Sequence, residues 1–360
     1  MTAVIATADV AVVGCGIIGL AAAERLTARG LSVVAVDESG VAAGSTGASG
    51  GLVRALDLAG RPGSWAAQGL DRYLRQGWHG TWPAVREHGS LTLVDADGLP
   101  GALAGVAAVR AAGQDAQLLS AQEISARFTD LSVPDGFTGV YEPRAGWLPV
   151  AEVATAMRRD AGPALQLVRA RATGLLTSAA GVCGVRTTEG TVRARAVLLA
   201  AGVGSAPLAA SVGVPLALCT RSVSYCLFQL DQDSGATGLP TVADATTGAW
   251  LRRWNRGRTV LAGVVSQETG VPATVRGRVS AGEQRRVREV VRHRCPGLAD
   301  APAVGGLAAY DAMVVGGQGA VTDWPSPGGL VTAVGWNGNG FKLAPAVGEL
   351  AADRLYEMAG

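Results

Sequence analysis

The chain has 360 residues, of which 48% are hydrophobic and 17% charged, and its formal net charge is +2. This length is typical of two domains, and the composition allows a large buried core while arguing against a disordered chain. Because no long block of one charge sign occurs, nothing in the sequence indicates a nucleic acid as partner.

The N-terminal 23 residues are apolar but lack the basic start of a signal peptide, and glycines at positions 14, 16 and 19 interrupt them. No run of about 18 uninterrupted apolar residues occurs elsewhere, so no membrane span is expected. The five cysteines form no CxxC pair, and the three histidines lack the spacing of metal ligands. We therefore expect a soluble, cytoplasmic protein without disulfides or a metal site.

The first elements predict a parallel, doubly wound sheet. A strand at residues 10–13 leads through a glycine turn into a helix at 20–29, and a second strand follows at 31–36. The composition predicts further helices at residues 69–85, 100–113, 148–160, 282–294 and 342–358. It predicts further strands at residues 90–94, 181–188, 191–199, 222–230, 249–253, 259–265 and 330–334.

The glycine turn carries the first chemical signal. Gly14 permits a tight turn, Gly16 lets the backbone approach a pyrophosphate, and Gly19 lets the helix pack closely on the strand. The helix N-terminus adds free N–H groups and the positive end of its dipole. Asp37 ends the second strand, where an acid accepts hydrogen bonds from a ribose. This arrangement predicts a dinucleotide cofactor but does not separate FAD from NAD.

Three later segments make that separation. A Gly- and Ser-rich loop spans residues 44–51, an apolar strand ends in Ala-Ala-Gly at 200–202, and Gly-Trp-Asn-Gly-Asn-Gly-Phe-Lys at 335–342 opens the last helix. The whole pattern resembles the D-amino-acid oxidase superfamily of flavoproteins. It is most similar to the branch of the glycine oxidases and monomeric sarcosine oxidases, and the resemblance extends over residues 9–355.

This resemblance implies FAD as the cofactor, held by segments from the whole length of the chain. The implied FAD-binding residues are Gly14, Gly16, Ile17, Ile18, Gly19, Asp37, Glu38, Ser45, Thr46, Ser49, Gly50, Gly202, Gly338, Asn339, Gly340, Phe341 and Lys342. Family members with covalent FAD attach it through a histidine in the first loop or a cysteine before the last strand pair. Here those regions hold Gly47-Ala48 and Leu-Ala-Ala-Tyr at 307–310, so we expect a non-covalent FAD.

The resemblance also implies an α/β fold of two domains. We expect a discontinuous Rossmann-like FAD-binding domain at residues 1–85, 145–218 and 320–360. A mixed β-sheet substrate domain is expected at residues 86–144 and 219–319. The active site should lie where the two meet.

The implied activity is oxidation of the C–N bond of an amine or amino acid. A hydride passes to flavin N5, water hydrolyses the resulting imine, and molecular oxygen takes up the electrons as peroxide. Two alternatives stay open: a dehydrogenase with another electron acceptor, and a non-catalytic FAD-binding subunit of a larger complex. A dehydrogenase that uses NAD would leave the C-terminal glycine motif unexplained.

Three basic residues are candidates for catalysis. Lys342, the only lysine of the chain, would lie beside the flavin and bind a substrate carboxylate. Arg54 follows the flavin loop, where the sarcosine oxidases place a carboxylate-binding arginine. Arg252, or its neighbour Arg253, falls near the position at which that branch carries a lysine that promotes the reaction of the flavin with oxygen. The alternative interpretation is that these residues are ordinary surface cations.

Tyr310, Trp336 and Ala308 are candidates for the substrate pocket, although large aromatic residues more often belong to the core. Many glycine and D-amino-acid oxidases carry Gly-Leu-Arg-Pro, whose arginine holds the substrate carboxylate. The corresponding stretch here is residues 306–309, and Ala308 replaces that arginine. We therefore expect a secondary amino acid of the N-substituted glycine type rather than a small primary amino acid.

Overall fold

A computed structural model of the protein describes residues 3–61, 64–231, 238–254, 257–273 and 277–359. The helices within these ranges are α1 (Ile17–Ala28), α2 (Trp65–Trp78), α3 (Leu99–Ala111), α4 (Ala121–Arg127), α5 (Val150–Asp160), α6 (Ser205–Ala210), α7 (Ala281–Val291) and α8 (Gly340–Ala359). The strands are β1 (Val4–Val13), β2 (Val33–Asp37), β3 (Leu52–Val53), β4 (Ser90–Val94), β5 (Gln117–Ser120), β6 (Thr138–Glu142), β7 (Gly146–Trp147), β8 (Leu165–Arg169), β9 (Ala172–Ser178), β10 (Gly181–Thr187), β11 (Thr191–Leu199), β12 (Leu218–Gln229), β13 (Thr241–Asp244), β14 (Ala249–Trp254), β15 (Thr259–Val264), β16 (Ala303–Val314), β17 (Ala320–Trp324) and β18 (Leu330–Val334).

The first sheet has the strand order β17-β18-β11-β1-β2-β8, with the β9–β10 hairpin attached to β11. Strands β1, β2, β8, β11 and β18 run parallel to one another. The last four residues of β1 are at most 3% exposed, as expected for a strand that is covered on both faces. Helices α1 and α8 approach closely because Gly348 leaves room for Ala21. This confirms the predicted Rossmann-like sheet.

The second sheet is mixed, with the order β16-β12-β15-β14-β13-β4-β6-β5. Only the β4–β13 pair is parallel among the paired strands described there. One face packs against α7 through a core that includes Phe228, Leu251, Val260 and Val287. The predicted fold class, an α/β protein with a mixed second sheet, is confirmed. The predicted domain boundaries stay a prediction.

Several elements differ from the sequence-based expectation, since nine of the eighteen strands described, and the short helices α4 and α6, are not among the predicted elements. The helix expected at 69–85 is α2, which starts at Trp65 and ends at Trp78. The chain turns at Gly80, with φ of 69°, so that Trp82 packs inward and donates a hydrogen bond to Asp160 at 2.7 Å. No strand was expected at residues 303–314, because Gly and Ala have a low β propensity. Pairing with β12 along its length makes this segment β16.

Disulfides, a metal site and a membrane-spanning helix were not expected, and the structure bears on each of them within the described ranges. All five cysteines lie within them, and each is free. Within the same ranges, no group of three or more Cys, His, Asp or Glu side chains could hold a metal ion. None of the described helices is both long enough and apolar enough to cross a membrane.

Candidate functional site

A cavity of about 540 Å³ is lined by strands of the second sheet and by turns that follow strands of the first sheet. It brings together three segments that are distant in sequence: the first glycine turn, the 44–51 loop and the closing turn at 335–340. The predicted FAD-binding residues in its wall are Gly16, Ile17, Ile18, Ser45, Thr46, Ser49, Gly50, Gly338, Asn339, Gly340, Phe341 and Lys342.

The other five predicted cofactor residues lie outside this wall: Gly14, Gly19, Asp37, Glu38 and Gly202. Gly14 has φ of 106°, and a Cβ there would lie 2.5 Å from the Ala200 carbonyl oxygen, so this position requires glycine. A Cβ at Gly19 would clash with the Gly14 carbonyl. Both glycines therefore serve the tight turn and the close packing of α1 rather than direct contact with the cavity.

Asp37 organises the end of β2. Its Oδ2 accepts a hydrogen bond from the Cys15 backbone N–H at 2.8 Å, and its Oδ1 accepts from the Ser39 and Gly40 N–H groups, each at 2.8 Å. A carboxylate oxygen has a second lone pair, so these bonds leave room for a ribose hydroxyl. Glu38 beside it is exposed.

The 3₁₀ turn at Ser45–Ala48 connects the glycine turn to the second sheet. Thr46 Oγ1 accepts a hydrogen bond from the Ile17 N–H at 3.0 Å, next to Gly16, where a Cβ would lie 3.2 Å from the same hydroxyl. Ser45 donates to the Tyr310 carbonyl of β16 at 3.0 Å. The backbone at Gly16 thus carries no side chain, which leaves room for a phosphate there.

The closing turn is held by its two asparagines. Asn337 has φ of 53° and accepts a hydrogen bond from the Val314 N–H at 3.0 Å. Asn339 donates to the carbonyls of Trp336 and Asn337. The turn leads into α8, whose first N–H groups have no partner within the helix and point to its N-terminal end. An anionic or electron-rich ring edge fits there.

A cluster of charged side chains lies at the far end of the cavity. Lys342 is 4% exposed; its Nζ donates to the Leu56 carbonyl at 3.3 Å and lies 3.6 Å from Asp57 Oδ1. Asp57 also holds Arg61 through two bonds of 2.8 and 2.7 Å. Arg54 lines the cavity and has no hydrogen-bond or ion-pair partner within the described chain.

Burial shifts the pKa values of this cluster. Desolvation, reinforced by the neighbouring Arg54, lowers the pKa of Lys342 to about 7, although Asp57 opposes the shift. Burial likewise lowers the pKa of Arg54 and raises that of Glu142. Glu142 accepts hydrogen bonds from the N–H groups of Ala55 and Leu56, so it fixes the backbone that presents Arg54.

Arg252 is placed behind the cavity wall rather than in it. Its guanidinium lies between the rings of Trp147 and Trp254, at 4.0 and 5.0 Å from their centroids. Its Nε donates to the Gly50 carbonyl at 2.6 Å, and Gly50 lines the cavity. Burial lowers the pKa of Arg252 to about 10. Arg252 therefore reaches the cavity through Gly50.

Two of the three predicted substrate-pocket residues line the cavity. Tyr310 and Trp336 line the cavity, whereas Ala308 lies outside its wall, in β16 opposite Ser224 and with Gly277 on its other side. Trp250 is a wall residue that was not predicted, and its ring would be 2.7 Å from a Cβ at Gly50 and 2.5 Å from one at Gly263. Thr92, Arg221 and Asp311 in the wall were not predicted either. Alternation along β14 places Trp250 on the cavity side, but only after the strand has been oriented.

The cavity fits a dinucleotide. It offers a phosphate cradle at Gly16, hydroxyl groups at Ser45 and Thr46, and a helix N-terminus at the closing turn. Trp336 Nε1 and Asp311 Oδ2 are buried without a partner among the described residues, as expected of groups that await a ligand. The described residues in the wall include neither a cysteine nor a histidine.

Comparisons with known proteins agree with this geometry. The profile of the family "DAO: FAD dependent oxidoreductase" matches residues 9–354. No match was found among curated proteins. The solved glycine oxidase of Geobacillus kaustophilus superimposes with a TM-score of 0.82 at 23% identity, covering 98% of this chain and 95% of that one. L-proline dehydrogenase of P. horikoshii superimposes with a TM-score of 0.86 at 19% identity, covering 97% of this chain and 93% of that one. Iminodiacetate oxidase of Chelativorans sp. BNC1 superimposes with a TM-score of 0.78 at 20% identity, covering 97% of this chain and 95% of that one.

Proposed function

We propose, from the premise that the chain belongs to the DAO family of FAD-dependent oxidoreductases, that it oxidises the C–N bond of a secondary amino acid of the N-substituted glycine type. Bound FAD supplies the acceptor for a hydride from the carbon next to the nitrogen. The protein binds and orients the substrate. Molecular oxygen is the proposed electron acceptor.

The observation that carries this proposal is the charge at the far end of the cavity. Three basic side chains, Arg54, Arg61 and Lys342, lie among two carboxylates, Asp57 and Glu142, so protonated Lys342 would leave an excess positive charge, and the pKa of Lys342 is lowered to about 7. Asp57 already pairs with Arg61, while Arg54 is free to bind a ligand. A substrate carboxylate between Arg54 and Lys342 would balance the charge and restore the proton on Lys342.

An apolar part of the wall favours an apolar substituent on the nitrogen. Trp250, Ala243, Ala249 and Val264 line the side that belongs to the second sheet. The arginine that would bind the carboxylate of a small amino acid from that sheet is absent, since Ala308 stands there. An amino acid held by Arg54 and Lys342 would therefore extend its N-substituent toward Trp250. These features support a longer secondary amine over glycine or D-alanine.

The proposal is tested by substrate reduction of the bound flavin without oxygen. Amino acids, N-alkylglycines and N-carboxymethyl amines are mixed anaerobically with the enzyme, and the loss of flavin absorbance is followed. We expect bleaching by the N-alkylglycines. If no compound of the set reduces the flavin while dithionite does, the chain is a non-catalytic flavin-binding subunit.

Admission of oxygen then separates the oxidase from the dehydrogenase. An oxidase returns one peroxide for each substrate oxidised. If the reduced flavin persists in air but is reoxidised by a quinone or a dye, the enzyme is a dehydrogenase, and the proposal of oxygen as acceptor is wrong.

A further inference from the structure

Two charged side chains in the cavity wall are not used by the proposed reaction. Arg221 of β12 and Asp311 of β16 are directly opposite each other in the antiparallel pair, and both line the cavity. They are remote in sequence from the glycine motifs. Asp311 Oδ1 accepts a hydrogen bond from the Ala312 N–H at 2.9 Å.

Each side chain has a buried polar atom that is unsatisfied. Asp311 Oδ2 and Arg221 Nε have no hydrogen-bond partner within the described ranges. Buried polar groups of proteins are nearly always paired, so an acceptor and a donor side by side in a cavity wall indicate a ligand with both a donor and an acceptor. Burial raises the pKa of Asp311, while nearby Arg221 and the backbone N–H groups of Ala312 and Gly338 oppose this. A hydrogen bond donated by the ligand to the Asp311 carboxylate would lower this pKa further.

The position of Arg221 and Asp311 limits which part of a ligand they can contact. A Cβ at Gly338 of the closing turn would lie 3.4 Å from Arg221 Nη2 and 3.8 Å from Asp311 Oδ2. On the other side, the residue before Asp311, Tyr310, accepts the hydrogen bond from Ser45, next to the phosphate cradle. The pair therefore lies between the two turns predicted to hold the pyrophosphate and the flavin ring.

We propose that Arg221 and Asp311 bind the ribityl chain of FAD, Asp311 accepting a hydrogen bond from a ribityl hydroxyl and Arg221 donating one to a hydroxyl oxygen. The ribityl chain joins the pyrophosphate to the ring, and each of its hydroxyls is both donor and acceptor. A phosphate offers only acceptors and would be repelled by Asp311. The N3–H and carbonyls of the flavin ring have the same donor and acceptor chemistry, so the test must separate the two parts of FAD.

The experiment measures FAD affinity of the apoprotein by quenching of flavin fluorescence. Asp311→Ala and Arg221→Met should each weaken FAD binding by about tenfold or more, as expected for a lost bond to a charged group. The wild type and both variants are then titrated with FAD analogues that lack the 2′-, 3′- or 4′-hydroxyl of the ribityl chain. Each variant should lose no further affinity for the analogue that lacks its partner hydroxyl, because the two changes remove the same bond.

Other outcomes overturn the proposal. Wild-type affinity for FAD in both variants would contradict it, as would a loss of equal size with every deoxy analogue. Non-additivity with 3-methyl-FAD instead of a deoxy analogue would assign the pair to the flavin ring. Unchanged FAD affinity with a weakened substrate Kd would assign it to the substrate.

Two controls keep the test independent of folding. Asp323→Asn changes an exposed carboxylate of β17 that pairs with Arg354 outside the cavity, and it should leave FAD affinity unchanged. If Asp311→Ala yields no folded apoprotein, Asp311→Asn keeps the shape while removing the charge. The Tm of each apoprotein shows whether an affinity loss comes from a damaged fold.

Discussion

Lys342 is surrounded by charges that act on it in opposite directions. Desolvation and Arg54 favour its neutral form, whereas Asp57 and Glu142 favour the ammonium, and the resulting pKa is about 7. A bound carboxylate would add to the second group and raise this pKa. Because the pKa of Lys342 in the folded protein lies below that of an exposed lysine, the free energy of unfolding increases as the pH rises above about 7. Binding of a substrate carboxylate instead requires protonated Lys342, so it is favoured at lower pH.

Carboxylate binding should therefore weaken above about pH 7. We expect the Kd of methoxyacetate, which has a carboxylate but no amine, to be constant at lower pH and to rise by up to about tenfold per pH unit above it. Flavin absorbance changes measure this Kd. Lys342→Met should bind weakly at every pH and lose the dependence. Arg54→Met is the matched comparison: it should bind weakly but keep a pH dependence, which begins at higher pH because Arg54 no longer lowers the pKa of Lys342. A wild-type Kd that does not change between pH 6 and 9 would mean that Lys342 does not bind the carboxylate.

Gly16 tests the phosphate cradle with a single side chain. Gly16→Val would place methyl groups against Thr46 Oγ1, where even a Cβ would lie at 3.2 Å, so the protein should purify without FAD. The ratio of absorbance at 450 nm to that at 280 nm measures the loading. Gly101→Val in α3, where a Cβ meets open space, should purify fully loaded. A fully loaded Gly16→Val variant would remove Gly16 from the site.

At the scale of the elements, the 44–51 loop is fixed from the second sheet. Trp250 packs on Gly50, and Arg252 of the same strand binds the Gly50 carbonyl. The two indoles that enclose Arg252 come from β7 and β14, so its charge is held in place by cation–π contacts. One strand of the second sheet thus positions a loop that lines the cavity.

We expect the buried charge of Arg252 to stabilise the negative charge that develops when reduced flavin reacts with oxygen. Arg252→Met should therefore slow this reaction by about tenfold or more. The anaerobic rate of flavin reduction should change far less. Stopped-flow mixing of the reduced enzyme with oxygenated buffer measures the first rate. Trp254→Phe, which keeps the charge and an aromatic face, should stay near wild type. An equal loss of both rates in Arg252→Met would show that Arg252 only supports the loop.

The elements differ in how far the sequence predicts them. The glycine turn, β1 and α1 could be predicted because backbone conformation and phosphate chemistry demand particular residues at fixed spacing. Arg54 and Lys342 could be placed in the cavity through their neighbouring motifs. Trp250, Arg221 and Asp311 could not, because their roles depend on which strands of the second sheet pair and which faces they present. Strand pairing between distant segments leaves no local signal in a single sequence.

At the scale of the whole molecule, the cavity proposed to hold FAD connects the second sheet to the turns of the first. Its wall takes residues from α1, the 44–51 loop, β12, β16 and the start of α8, so FAD binding should stabilise their assembly. The Tm of the holoprotein should therefore exceed that of the apoprotein and rise with added FAD. An apoprotein with the Tm of the holoprotein would place the cofactor outside this junction.

We also expect the FAD to be released intact on denaturation. The described wall residues offer no cysteine or histidine for covalent attachment. Precipitation with acid should leave a colourless pellet and a yellow supernatant that contains all of the flavin. A yellow pellet that survives washing would show a covalent link.

The central claim is that this enzyme selects a carboxylate-bearing secondary amine. The most direct test is the anaerobic second-order rate constant for flavin reduction by a series of N-alkylglycines of increasing chain length. It is compared with glycine, D-alanine and the same N-alkyl amines without the carboxylate. The account predicts that the best N-alkylglycine exceeds both comparison groups by about tenfold or more. If glycine or D-alanine is faster by about tenfold or more, or if removal of the carboxylate leaves the rate constant unchanged, the account is wrong.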